Sequence, residues 1–375
     1  MRSIELELCE KCVKRLNIDV RIVNPENCIL CSGLLWKIDD ICKRILDRLK
    51  EFEFRSFSVG TKLEGSIKFL EKYIFEKYNV EQDKSIKYHF NSEISRRLRK
   101  LTNKPVKAQN ADINIIFNPE INDFEINIKP LYIYGRYKKR IRNIPQTRWI
   151  CTKCNGKGCE ICNFTGKKYI TSVEELILAP LLELTRGEDG CLHGAGREDV
   201  DARMLGNGRP FVIEIKNPRV RSIDLKLAES LINERCRGKV LVSELKFVNK
   251  NAIEFIKSEK FKKIYRVKVI FSREIDRETL IKALEQLKNR RILQRTPRRV
   301  EHRRADLVRE RWTYDVKLLF HRGNIAVIQI EADSGLYIKE LINGDEGRTR
   351  PSLTEVLNIP SEVAKLDVIE VKGGL

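Results

Sequence analysis

Two cysteine quartets constrain this chain more tightly than any other feature. Cys9-x-x-Cys12 and Cys28-x-x-Cys31 are knuckles with fifteen residues between them, whereas Cys151-x-x-Cys154 and Cys159-x-x-Cys162 are separated only by Asn155-Gly156-Lys157-Gly158. Four thiolates at such spacing close a tetrahedral shell around zinc and hold a short segment that has no core of its own. Glu10, Lys11, Asn24, Pro25, Glu26 and Asn27 make the first quartet's surroundings too polar for four core cysteines. In the second, glycines let backbone amides turn toward thiolates, and Lys153 and Lys157 offset their charge. Each shell is full and leaves no position for a reacting water, so both are expected to be structural zinc sites. Cys42, Cys191 and Cys236 are left to ordinary packing.

Metal rather than disulfide suits a reducing compartment. Met1 to Glu10 lack a basic segment followed by an apolar one, and no run approaches the roughly 20 apolar residues of a membrane span. The expectation is a soluble, cytoplasmic protein. With 73 Lys and Arg against 53 Asp and Glu, the net charge is +20, enough to concentrate a polyanion around the molecule. A small acidic substrate needs no field so diffuse, although a heavily charged thermophilic surface would look similar. Aromatic residues are only 7 %, so stacking platforms for bases must be few.

A length of 375 residues predicts two or three domains, with ample core in the C-terminal part. Leu35, Ile38, Ile41, Cys42, Ile45, Leu46 and Leu49 recur at helical spacing and predict an amphipathic helix over 34–54. A strand over 57–63 and helices over 65–77 and 91–101 follow. Two alternating segments, 112–117 and 124–129, flank an Asn118-Pro119-Glu120 turn. This order resembles a THUMP domain, an RNA-binding module of several tRNA-modifying enzymes. The exit, 132–142, mixes three tyrosines with five cations, a composition suited to phosphates and unpaired bases or, less interestingly, to a solvated strand with core tyrosines.

Ser172-Val173-Glu174-Glu175 is a capping box that opens a helix running to about Thr185, bent before Pro180. Further helices are expected over 222–234 and 276–290, and strands over 211–216, 265–272, 314–320, 325–331 and 366–371. The expected domains are 1–150, with the first knuckle and the THUMP-like module; 151–170, the second knuckle; and 171–375, a catalytic domain. The fold class is α+β.

Gly194-Ala195-Gly196-Arg197-Glu198-Asp199-Val200-Asp201 places charged side chains among glycines just ahead of an apolar strand, an arrangement that presents a few charges in a cleft. Its Gly-Arg-Glu-Asp resembles the Gly-Arg-x-Asp catalytic loop of RNA pseudouridine synthases. Gly335-Leu336-Tyr337-Ile338-Lys339-Glu340-Leu341 is similar to that family's Gly-x-Tyr-Ile-Arg/Lys-x-Leu motif, and Lys263-Ile264-Tyr265-Arg266-Val267 opens a strand where the family carries a base-stacking tyrosine. The long loop 194–218, the Arg-rich 296–304 and Gly344-Asp345-Glu346-Gly347-Arg348-Thr349-Arg350-Pro351 narrow the resemblance to the branch sometimes called Pus ten, found in archaea and many eukaryotes. Since eukaryotic members need not carry the second quartet, an archaeal type is implied.

The resemblance implies a pseudouridine synthase core with a mixed, mainly antiparallel sheet flanked by helices. It implies a tRNA pseudouridine synthase acting on the T arm, at position 54, 55 or both, an isomerase with no cofactor for its chemistry and tRNA as its partner. Asp199 would be the nucleophile, Lys339 its basic companion, and Tyr265 the stack for a flipped uracil. Arg197 would fill the gap or hold a phosphate, Leu366 would line the pocket, and Arg303 and Arg304, among the seven arginines of 295–311, would clamp the backbone. Asp201 is a second candidate nucleophile by proximity. Another THUMP-bearing enzyme would need a methyl-donor loop or an ATP-pyrophosphate loop, and neither is found. A non-catalytic tRNA-binding or chaperone protein would share the charge and the zinc but would not need Asp199, Tyr265 and Lys339 together.

Overall fold

The computed structural model describes residues 5–375, the side chain of Arg303 excepted. It divides into two compact units, the first comprising the residues up to Pro130 with Thr185–Glu188 and Lys216–Ser222, the second the remainder.

In the first unit, β1 (Glu7–Leu8) and β2 (Arg21–Ile22) pair in parallel beside the first cysteine quartet. Next come α1 (Ile38–Leu49), β3 (Phe57–Thr61), α2 (Gly65–Tyr78), α3 (Ile86–Thr102), β4 (Ile113–Asn118) and β5 (Asp123–Ile128). β3 joins β4 in parallel, and β4 turns back into β5. The alternation of β4 buries Ile113, Ile115 and Phe117 against Ile41, Ile45 and Leu49 of α1 and Phe90, Ile94 and Leu98 of α3. That apolar face stabilises the helices more than their local propensities do. Several boundaries differ from expectation: α1 ends at Leu49 rather than 54, β3 ends at Thr61 rather than 63, and two helices start elsewhere than expected. Leu34–Trp36 form a separate 3-10 turn after left-handed Gly33, so α1 starts late. Helix α3 starts five residues early, because Ser85 caps it by accepting from the Lys87 amide at 3.3 Å.

The second unit is built on a large mixed sheet. Its strands are β6 (Leu131–Lys139), β7 (Asp189–Gly194), β8 (Arg203–Lys216), β9 (Val240–Val248), β10 (Lys263–Phe271), β11 (Arg290–Arg295), β12 (Val308–Arg322), β13 (Ile325–Ala332), β14 (Thr349–Arg350) and β15 (Ser361–Val371). Among the described residues their order is β14-β11-β12-β13-β10-β15-β8-β6-β9, with β7 added to β8. Along that path neighbours are antiparallel except at β15 and β8, which run parallel where Asp367 and Val368 pair with Arg203 and Met204. The expected α+β class with a mixed, mainly antiparallel sheet therefore holds. The helix Val173–Thr185 starts at the expected capping residue, whose hydroxyl accepts from the Glu175 amide at 3.2 Å and donates to the Glu175 carboxylate at 2.8 Å. Among the described residues no helix is long and apolar enough to cross a membrane.

Two features of this unit differ from expectation. Strand β8 begins at Arg203, eight residues before the expected Phe211, since Gly206 lets it lie directly on β15: a Cβ there would sit 1.6 Å from the Ile369 carbonyl oxygen. The tyrosines of 132–142 are not an RNA-stacking surface. β6 lies between β8 and β9, so Tyr132, Tyr134 and Tyr137 are buried in the core. A strand with neighbours on both edges and cover on both faces buries its aromatics whatever cations flank them.

Candidate active site

The parallel joint of β8 and β15 brings the chemistry together. Asp199 precedes β8, Leu366 lies on β15, Tyr265 on the adjacent β10, and Lys339 on the short helix α4 (Ile338–Asn343). They line one cavity of about 310 Å³, with Arg197, Arg304 and Lys263 on its walls. That is the low end of the range of about 300–1,000 Å³ for small-molecule sites, room for a single compact group. Eight cationic side chains line it against two acidic ones, Glu198 and Asp199. Such a cavity concentrates negative charge at its mouth.

Neighbouring acids in the Gly-Arg-Glu-Asp sequence face opposite ways. Glu198 turns inward, accepting from Arg209 Nε at 2.9 Å and from the Tyr137 hydroxyl at 3.0 and 2.8 Å. Arg209 also donates to the Ala195 carbonyl at 2.7 Å, and Gln146 bridges the Tyr137 hydroxyl and the Gly196 carbonyl at 2.8 and 3.0 Å. The fully buried Lys139 donates to the backbone carbonyls of Ile144, Asp199 and Val200 at 2.9, 3.2 and 3.1 Å. A loop tied from within at so many points presents Asp199 outward with little freedom.

Outward, Asp199 meets two cations. Arg299 Nη1 donates to Oδ1 at 3.1 Å, and Lys339 Nζ stands 3.5 Å from Oδ2. Lys339 is closer to Asp201, donating to its two oxygens at 3.0 and 2.7 Å. Burial works against the Asp201 charge, yet the Lys339 ammonium outweighs it and holds that carboxyl below its usual range. The expected companion of Asp199 is thus shared, and its closest cation is Arg299. Arg299 is itself fixed by Glu340, donating from Nε at 2.6 Å and from Nη2 at 3.3 Å. Burial opposes the charge on Arg299, but Glu340 and then Asp199 raise its affinity for the proton. Gln294 clamps the start of α4, accepting from the Tyr337 amide at 2.8 Å and donating to its carbonyl at 3.0 Å.

Tyr265 is buried, and that burial pushes its phenol up to about 12, with Arg209 opposing and Asp199 adding to the shift. Leu366 is buried beside it. Arg197 lies 4.9 Å from the ring centre of Trp149, which continues the wall of the cleft. Arg304 lines both parts of the cleft, while the side chain of Arg303 lies outside the described residues. The parts that Arg299, Glu340, Lys263, Glu198 and Arg209 play in this site are not legible in the sequence. Arg299 was visible only as one arginine among seven, and Lys263 only as the first residue of a strand.

Both cysteine quartets converge. Cys9 and Cys31 sulfurs are 3.6 Å apart and those of Cys12 and Cys28 3.8 Å; in the second quartet, Cys154 and Cys159 lie 3.8 and 3.7 Å from Cys162. A tetrahedron with metal–sulfur bonds of about 2.3 Å has edges of about 3.8 Å, so both sets fit a four-coordinate metal. The amide of Gly158 points at the Cys154 sulfur at 3.3 Å, as expected of a glycine between the knuckles, and the amide of Gly166, beyond them, points at the Cys162 sulfur at 3.3 Å. Cys191 does more than pack: its sulfur lies 3.3 Å from His193 Nε2, which is 3.0 Å from Glu214 Oε2.

Comparison with known proteins agrees with this arrangement. The family model described as Pus10, C-terminal, matches residues 132–372, and that of the archaeal Pus10 THUMP domain matches residues 41–118. The tRNA pseudouridine synthase Pus10 of Archaeoglobus fulgidus is 47 % identical over 98 % of this chain and 100 % of its own length. That of Methanothrix thermoacetophila is 42 % identical over 97 % of this chain and 80 % of its own. A solved Cbf5-Nop10-Gar1 complex is 14 % identical over 52 % of this chain and 44 % of that one, with a TM-score of 0.34, too slight a likeness to bear on the assignment. The chain belongs to the Pus10 family of pseudouridine synthases and is an isomerase.

Proposed function

We propose that this protein isomerises uridine to pseudouridine in the T arm of tRNA, at position 54, 55 or both, with Asp199 as the nucleophile. The observation that carries the reading is the single cavity in which the Asp199 carboxylate, held by Arg299 and Lys339, faces Tyr265 and Leu366. The N1 glycosidic bond must break, the uracil turn, and C5 bond to C1′. A fixed carboxylate serves by attacking C1′ or uracil C6, or by stabilising charge on the sugar. The base has to leave its stack to reach Asp199, at a cost of a few kcal/mol. Tyr265 and Leu366 then receive its faces. Arg197 and Arg304 hold flanking phosphates, and their place in the cationic lining of the cavity supports that role.

The residues 41–118 that match the THUMP model supply further tRNA contacts. The two quartets hold zinc, which braces each knuckle and takes no part in the reaction. The test is release of the C5 hydrogen from labelled uridine in T-arm transcripts. Wild-type protein should release it, whereas Asp199→Asn should release none at nearly unchanged tRNA affinity and Asp201→Asn should retain measurable turnover. A dead Asp201→Asn beside an active Asp199→Asn would move the nucleophile by two residues; full activity in both would end the reading.

A further inference from the structure

We propose that Lys263 is the base that removes the C5 proton after the uracil has been rejoined to the ribose through C5. This rests on the function proposed above. Lys263 is two residues before Tyr265 on β10, so both side chains point from the same face of the strand into the cavity. A uracil stacked on Tyr265 therefore has the Lys263 amine at its rim. The only hydrogen bond among the described residues that holds this amine is the one it donates to Ser334 Oγ at 3.2 Å, and no described carboxylate lies in ion-pair range. The chain makes space for it: a Cβ on Gly196, in the loop that carries Asp199, would come within 2.9 Å of Lys263 Nζ.

The other proton acceptors of the cavity are occupied or unsuited. Asp199 is paired with Arg299 and Lys339, and Glu198 with Arg209 and the Tyr137 hydroxyl. Tyr265 is held up at about 12, so its phenol keeps its proton near neutrality. Lys263 differs. Burial, then the Arg209 guanidinium, lower its amine to about 7, with Glu198 opposing. The other charged groups around the cavity are Asp199 and the cations Arg197, Arg299, Arg304, Arg309, Arg311 and Lys339. A base with such a proton affinity is half free at neutral pH and strong enough to act.

When C5 bonds to C1′, C5 becomes tetrahedral and still carries its hydrogen, and N1 and C6 share an imine bond. The Lys263 amine takes the proton. The C5–H electron pair forms the C5–C6 double bond, the imine pair moves to N1, and N1 takes a proton from water. Atoms and charge balance with no oxidant or donor.

The experiment uses the full chain and a tRNA transcript with tritium or deuterium at uridine C5. Lys263→Met, and Lys263→Gln as a second variant, should slow tritium release by roughly 10²-fold or more. Deuterium at C5 should slow the variants far more than the wild type, because proton removal has become rate-limiting. Below about pH 7, where the amine is protonated, proton removal should become limiting in the wild type too, so that its tritium release slows as pH falls; the variants should lose that dependence. Folded variants within a few-fold of wild type, or slow variants with no C5 isotope effect, overturn the proposal; the second result would leave Lys263 only a positioning role. Wild-type protein that releases no tritium from tRNA overturns the function proposed above and this inference with it.

Discussion

Arg299 Nη1 donates to Asp199 Oδ1 at 3.1 Å, across a hundred residues of sequence. Glu340 holds that guanidinium in place, and Glu340 follows Lys339, the other cation at Asp199. The short helix at Ile338 therefore acts on the carboxylate twice, once directly and once through Arg299.

Arg299→Met should cost more activity than Lys339→Met, because Lys339 divides its contacts between Asp199 and Asp201. Removing one preorganised charge at such a centre typically costs about 10²–10³ in turnover. Steady-state tritium release will rank the two, and an Arg299→Met enzyme with wild-type turnover would contradict the assignment of Arg299 as the main partner.

Glu198→Gln should destabilise the protein strongly. It leaves Arg209, 1 % exposed, without its counter-ion, and breaking a buried pair by removing one member costs about 3–5 kcal/mol. Urea unfolding measures this directly, and a loss under about 1 kcal/mol, the net worth of an ordinary hydrogen bond, would mean that Arg209 finds other partners.

Lys263 should make stability depend on pH in a predictable direction. Its amine titrates at about 7 in the fold and at 10.5 in the unfolded chain, so the unfolded chain binds more protons between these values and stability rises with pH across that window. Lys263→Met lacks the effect. The variant should be more stable than wild type near pH 7, by an amount of order a few kcal/mol, since each tenfold loss of proton affinity on folding is worth about 1.4 kcal/mol. The gap should shrink toward pH 10.5. A pH-independent gap in thermal or urea unfolding would refute this.

Metal analysis should return about two zinc ions per chain, since each quartet supplies four sulfurs within bonding reach of one centre. Cys154→Ser should remove one equivalent and leave the fold of residues 5–130 intact. Chelation should unfold the first knuckle, whose four cysteines are buried among Leu8, Leu30 and Leu35. A wild-type value of one or none would reject one or both sites.

Much of this protein is local enough to be legible in its sequence. The two quartets, the alternation of 112–117, the capping box at Ser172, and the motifs around Asp199, Tyr265 and Lys339 each depend on residues a few positions apart. They led to the class, to two quartets that could each hold a metal, and to six of the residues that line the cavity, Arg197, Asp199, Tyr265, Arg304, Lys339 and Leu366. What escaped depends on contacts between distant segments. The tyrosines and lysines of 132–139 give no sign of depth in the sequence, yet their strand lies between β8 and β9, where Lys139 is fully buried to hold the carbonyls behind Asp199. Nothing near Arg299 distinguishes it from the six other arginines of its stretch, and nothing near Lys263 says that its amine enters the cavity of Asp199 rather than water. Periodicity records which face of an element is apolar; which charge meets which is decided when chain closure brings distant residues together at low dielectric, where an unpaired charge is too costly to leave.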